Sequence, residues 1–187
     1  MPTHQLHLHK GETYFITFTC YRWLPLIEQT NLYPYFQKWF DYLQKNHTQL
    51  LGYVIMPNHV HLLVYQGEES PKVLNTLVSN GKRFLAYEII KRLQEKNKEG
   101  LLRILQHGVS NNEKKKGKKH QVFRLSFDAK LCFNLRMLKT KLNYIHKNPV
   151  KGKWMLVEDW VKYPHSSAGF YEEGKEVAFL THYKEVW

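Results

Sequence analysis

The order of apolar patterns along the chain predicts an α+β fold, an antiparallel sheet with helices packed on it. Three observations carry this. Residues 14–21, 50–56 and 59–65 are rich in β-branched and aromatic side chains, with the length of strands. Only Pro57 and Asn58 separate the second from the third, a break short enough for an antiparallel hairpin. Residues 31–47, 70–96 and 131–147 repeat apolar groups at helical spacing. The order β-α-β-β-α-(β)-α, with helices laid on one face, is the ferredoxin-like or RRM-like plan.

Each element has its own justification. In 14–21, "YFITFTCY" alternates roughly, as a half-buried strand does. The first helix carries Leu32, Tyr35, Phe36, Trp39, Phe40 and Leu43 on one stripe. "LLGYVIM" and "HVHLLVY" form the hairpin strands. In the second helix Ser70 is expected as N-cap and Pro71 at the first helical position, and Gly81 interrupts the stripe without ending it. Residues 107–120, "HGVSNNEKKKGKKH", lack apolar periodicity and are expected to form a mobile lysine-rich loop. Residues 121–130 are expected to be a strand or extended. The last helix places Leu131, Leu135, Leu138, Leu142 and Ile145 inward and stops before Pro149. The tail, including "YPHSSAGFY", is turn-rich and aromatic. No internal repeat and no linker divides residues 1–187, so one domain is expected.

Composition narrows the class of partner. The 187 residues hold 28 Lys+Arg against 16 Asp+Glu, a formal charge of +12, which favours a polyanion, nucleic acid before an anionic membrane. Aromatics make up 14% of the chain. Rings mixed with cations suit single strands, where bases stack on rings and lysines follow phosphates, although most rings are expected in the core. Two cysteines, Cys20 and Cys132, make no disulfide framework and fit a reducing cytosol. The opening "MPTHQLHLHK" lacks a signal-peptide apolar region, and no run is long enough to span a bilayer. A soluble, cytoplasmic protein is expected.

Two sites carry chemistry. In "MPNHVHLLV", His59 and His61 are two apart on a strand and so point to one face. They are either strand-edge histidines bonded to backbone or two ligands of one cation. Zinc closed by cysteine is disfavoured, because the cysteines lie far off and unpaired. Two imidazoles, an oxygen ligand and open positions suit Mg²⁺ or Mn²⁺ acting on a phosphate. In "KLNYIHKNPV", Tyr144 and Asn148 are four apart and on a helix would share a face. Alone they read as a half-buried tyrosine and a C-terminal asparagine. Beside the histidines, Asn148 could complete a cation site, and the Tyr144 phenol could attack a phosphodiester.

These stretches resemble a known family. "MPNHVHLLV" resembles the His-hydrophobic-His (HUH) motif of single-tyrosine transposases. "LNYIHKNPVKGKW" with "YPHSSAGFY" resembles the tyrosine helix and following segment of REP-associated tyrosine transposases, and "TYFITFTCYRWLPLIE" their first strand and turn. The resemblance runs from about Tyr14 to Tyr171. It implies cutting and rejoining of single-stranded or hairpin DNA through a 5'-phosphotyrosine, with Tyr144 as nucleophile and His59, His61 and Asn148 as ligands of Mg²⁺ or Mn²⁺. It also leaves room for a homodimer. The chain departs from the family at Phe123 and Arg124, where a Trp-Gln pair is common, and at Asp128, often His. The rival readings are a non-catalytic RRM-like single-strand binder and a domesticated transposase relative.

Candidate phosphate contacts are Lys82 and Arg83 on the second helix; Lys114, Lys115, Lys116, Lys118 and Lys119 in the loop; and Lys139, Lys141 and Lys147 around the tyrosine. Lys91 and Arg92 read as a solvated face.

Overall fold

A computed structural model describes residues 9–152 and 155–187. Most of the opening stretch, and Lys153 and Trp154 of the tyrosine motif, lie outside the described residues. The elements are β1 (Glu12–Thr19), α1 (Leu26–Gln29), α2 (Phe36–Lys45), β2 (Thr48–Ile55), β3 (His59–Gln66), α3 (Leu74–Glu95), α4 (Glu99–His107), α5 (Asn111–Lys115), β4 (Asp128–Leu131), α6 (Leu135–His146) and α7 (Ala168–Glu172). The sheet has four strands in the order β2-β3-β1-β4, and every neighbouring pair is antiparallel. With α2 and α3 as its two crossovers, this is the ferredoxin-like arrangement expected.

Alternation along the strands divides the core into two layers. Tyr14, Ile16 and Phe18 of β1 and Val60, Leu62 and Val64 of β3 point to one side and pack with Trp39, Phe40, Leu77, Leu85 and Ile89 of α2 and α3. Phe15, Leu51, Val54 and Leu63 point to the other side, beneath Leu138, Leu142 and Ile145 of α6. The helices therefore lie on both faces, not on one. Helical periodicity says which residues are buried but not which side of a sheet covers them.

Two close approaches set the layers. Gly81, in the middle of α3, lies against the Trp39 indole: a Cβ there would fall 2.1 Å from Trp39 Cε2. Gly52, beside a register shift in β2, lies under Leu142 of α6, where a Cβ would be 2.5 Å from Leu142 Cδ1. The glycine that interrupts the helical pattern is thus where α2 meets α3.

Several boundaries differ from expectation. The second helix begins at Leu74 with Val73 as N-cap; Ser70 is no cap, and its Oγ donates to the Lys72 carbonyl. The first helix opens with a 3₁₀ turn over Tyr33–Tyr35. The segment 99–107, for which no element was expected, is α4, burying Leu102 and Leu105. The stretch expected as a loop contains α5, capped by Ser110, whose side chain accepts from Glu113 N. Of residues 121–130 only the end pairs as β4, which also takes Leu131. The last helix starts later because the Asn134 side chain caps it, accepting from Met137 N, so Leu131 is not on it and Leu135 is exposed.

The turn-rich tail covers the outer edge of β2. Ile55 N donates to His165 O, Ser167 N to Tyr53 O, and Thr181 N to Leu50 O, each at 2.9 Å. Tyr163 and Tyr171 donate their hydroxyls to Ile55 O and Leu51 O. Ser167 Oγ also lies 2.9 Å from His146 Nε2, tying the tail to the end of α6. Cys20 and Cys132 are buried free thiols. Among the described residues no helix is long and apolar enough to cross a membrane.

Candidate active site

The face of the sheet under α6 changes character along its length. Phe15 and Leu63 are apolar, but the next residues on that face are Thr17 and Thr19 of β1, paired in register with His61 and His59 of β3. A strand presents alternate residues to one face, so the two imidazoles point the same way, with ring centroids 4.9 Å apart.

Each imidazole is fixed through Nδ1. His61 Nδ1 is 2.8 Å from Thr17 Oγ1, and His59 Nδ1 is 2.7 Å from Asn58 Oδ1. Asn58 is anchored in turn, its amide donating to Trp23 O at 2.9 Å. An amide oxygen can only accept, so His59 carries its proton on Nδ1 and its lone pair on Nε2. Burial holds both rings neutral. His59 falls to about 4, chiefly by desolvation, with a side-chain hydrogen bond to Asn148 opposing it. His61 falls to about 3 by desolvation and by the charges of His59 and Lys141.

The helix-borne residues arrive from α6. Leu142 and Ile145 bury its inner side, which leaves Tyr144 at the sheet's polar end. The Tyr144 ring packs edge-on against His61, at 5.2 Å between centroids, and against Phe15 at 5.9 Å, and it is 42% exposed. Asn148 lies beside His59, but not by helical stacking on Tyr144. The helix ends at His146, and Asn148 opens a 3₁₀ turn, Asn148–Val150, as the expected stop before Pro149 takes effect.

His59, His61, Tyr144 and Asn148 therefore share one end of one face. Among the described residues no group of three or more His, Cys, Asp and Glu side chains is placed to hold a metal. The donors at this end are two neutral imidazoles and an amide oxygen. That set fits a divalent cation that keeps open positions and draws its anionic ligands from a phosphate.

Three residues of the site went unread in the sequence: Thr17, Asn58 and Trp23. Thr17 becomes visible only once β1 is placed in register with β3. Asn58 stands in the hairpin break and does its work through its side chain. Trp23 is half exposed, stands edge-on to His59 at 5.8 Å, and has a left-handed φ of 59°.

The expected phosphate contacts separate into groups. Lys82, Arg83, Lys116, Lys118 and Lys119 line a cleft of about 710 Å³ between α3 and residues 116–125. Within it Lys82 donates to the carbonyls of Arg124, Leu125 and Ser126, and Lys118 pairs with Glu113 at 2.8 Å. Lys114 and Lys115 are exposed on α5, outside the cleft. On α6, Lys141 lies over Phe15 beside the histidines, Lys139 over Tyr183 farther along, and Lys147 is the C-cap. Arg92 is not merely solvated: it pairs with Glu88 and donates to Thr30 O and Asn31 O.

No protein-family model and no curated protein sequence matches the chain. Among solved structures, the chain is similar to a REP-associated tyrosine transposase bound to a REP hairpin. The TM-score is 0.56 at 18% identity, over 89% of this chain and 82% of that one. At that identity the likeness is one of fold.

Proposed function

We propose that this chain is a single-domain, metal-dependent DNA strand transferase with Tyr144 as nucleophile. The observation that carries the reading is the packing of a half-exposed Tyr144 ring on His61, with His59 and Asn148 adjoining. The structural neighbour's hairpin DNA and the charge of +12 support DNA as the partner.

In the proposed reaction the Tyr144 oxygen bonds to phosphorus and the bond from phosphorus to the 3' oxygen breaks. The phenol's proton ends on the released 3' hydroxyl, and a 5'-phosphotyrosine remains. Because the phosphoester is conserved, a second 3' hydroxyl can reverse the step and join a new end. His59, His61 and Asn148 would hold Mg²⁺ or Mn²⁺, which polarises the phosphate when bound. Thr17 and Asn58 orient the imidazoles, and Lys141 and Lys147 offer cations to the flanking phosphates. The protein would act in the cytoplasm, on the nucleoid.

The test is a denaturing gel after incubation with a labelled hairpin oligonucleotide and Mn²⁺. A covalent adduct is expected with the natural chain. Tyr144→Phe should eliminate it while hairpin affinity stays within about twofold, since only one hydroxyl is removed. An adduct persisting in that variant assigns the nucleophile elsewhere. The second reading, an RRM-like module that grips DNA without cutting it, is favoured because, among the described residues, no carboxylate joins the two histidines in a metal-holding group. It predicts binding with no adduct under any metal.

A further inference from the structure

On the far side of the sheet from Tyr144, α2 and α3 leave a cavity of about 530 Å³ between them. Its size is that of a small-ligand site. Its lining combines exposed rings with cations. Phe84 and Tyr87, one turn apart on α3, are 39% and 71% exposed, and Lys38 and Arg83 add cations with no acidic side chain in the wall. At its inner end is Trp39. The residue is 2% exposed, yet its Nε1 has no hydrogen-bond partner. It stands at the wall made with Gly81, where a Cβ would be 2.2 Å from Nε1. An orphaned buried donor is costly unless something accepts from it.

The walls are ordered in advance. Phe84 stacks on Tyr35 with centroids 4.8 Å apart, and Lys38 lies 4.7 Å above the same ring. The Tyr42 hydroxyl accepts from Lys72 Nζ at 2.8 Å and from Asn80 Nδ2 at 3.1 Å. The cavity neighbours the basic cleft, for Arg83 and Tyr87 line both. Arg124, at one side of the cleft, donates its backbone N–H to Thr19 O, and Thr19 pairs with His59. Arg83 and Tyr87 thus stand between the cavity and the basic cleft.

We propose that this cavity is a nucleotide subsite for an unpaired stretch of DNA, one base entering against Phe84 and Tyr87 with its flanking phosphates on Lys38 and Arg83. The buried Trp39 indole, at the cavity's inner end, lies beside the occupant and reports its presence. Rings on a positively charged track take single strands without reading their sequence, whereas a paired base cannot present its face. The inference shares with the strand-transferase reading only the premise that DNA is the partner, and it needs no cleavage.

The experiment uses the full chain carrying Tyr144→Phe, so that binding is read without reaction, and a dT12 oligonucleotide as probe. Saturating dT12 should shift the Trp39 indole N–H resonance, and a photoreactive dT12 should crosslink to residues 80–87. Lys38→Glu should weaken dT12 binding about tenfold and reduce the salt slope by about 0.7, the loss of one phosphate contact. Phe84→Ala should weaken it about tenfold through lost stacking. Lys38 and Phe84 line the cavity and not the cleft, so hairpin affinity should be unchanged in both. Should Phe84→Ala fail to fold, the Lys38→Glu result decides. An unshifted indole, dT12 affinity intact in Lys38→Glu, or the same shift with a blunt duplex or anionic vesicles would overturn the assignment. None of these outcomes depends on whether Tyr144 cuts DNA.

Discussion

Under α2 and α3, β1 and β3 present Tyr14, Ile16, Phe18, Val60, Leu62 and Val64; under α6 the same strands present Phe15, Thr17, His59, His61 and Leu63. Neighbouring residues of one strand thus have different duties. Leu62 fills the closed layer, while His61, one residue away, has Thr17 on one ring nitrogen and Tyr144 against its face. The comparison shows how a chain this size holds buried polar groups. One face supplies most of the apolar burial, so the other can spend part of its area on oriented imidazoles.

The sharpest way to break the contrast is to truncate each neighbour. Leu62→Ala should cost about 2–5 kcal/mol in urea unfolding, as buried leucines do, while adduct formation by the folded fraction persists. His61→Ala should cost less, since the ring sits at the polar margin of its layer, but it should abolish the adduct. Equal stability losses, or an adduct surviving without His61, would dissolve the division of duties. Next in size is Gly81→Ala. The new methyl would meet the buried Trp39 indole at 2.1 Å, so the layer under α2 and α3 should lose about 1–3 kcal/mol. The hairpin affinity of the folded protein should not move.

The remaining test varies pH. His59 and His61 are held near 4 and 3 in the folded state, and burial alone holds His146 near 4, all below the ordinary 6.5. As the pH falls, the unfolded chain takes up these protons first. Their contribution is therefore complete above about 6.5 and drains as the pH falls through the folded values. The urea midpoint should fall between pH 6.5 and 4, and His61→Gln should make that fall shallower. An unchanged slope would mean that the open face does not keep His61 neutral.

Most of the sheet and its two crossover helices were legible, because period two and period 3.6 are local signals of burial. So was the shared direction of His59 and His61, which follows from strand geometry alone. The position of α6 was not, since Leu138, Leu142 and Ile145 fit either side of a sheet. Nor was the setting of Asn148: spacing of four suggested a helix face, but the chain turns at Lys147, ahead of Pro149, and brings Asn148 to His59 by another path. Thr17 and Asn58 carry no local signal, because they matter only through partners that register supplies. The cavity at Trp39 was invisible for the same reason, being the gap two helices leave around one glycine.

The tail's bonds to β2 have a consequence beyond the site. TQLLGYVI, the strand they cover, is uncharged, free of proline and rich in β-formers, the composition that stacks into cross-β fibrils. At the opposite end of the sheet β4 is four residues long and carries Asp128 and Lys130, a poor template. Residues 165–181 therefore occupy the backbone groups through which a strand of that composition would otherwise template pairing with a further chain.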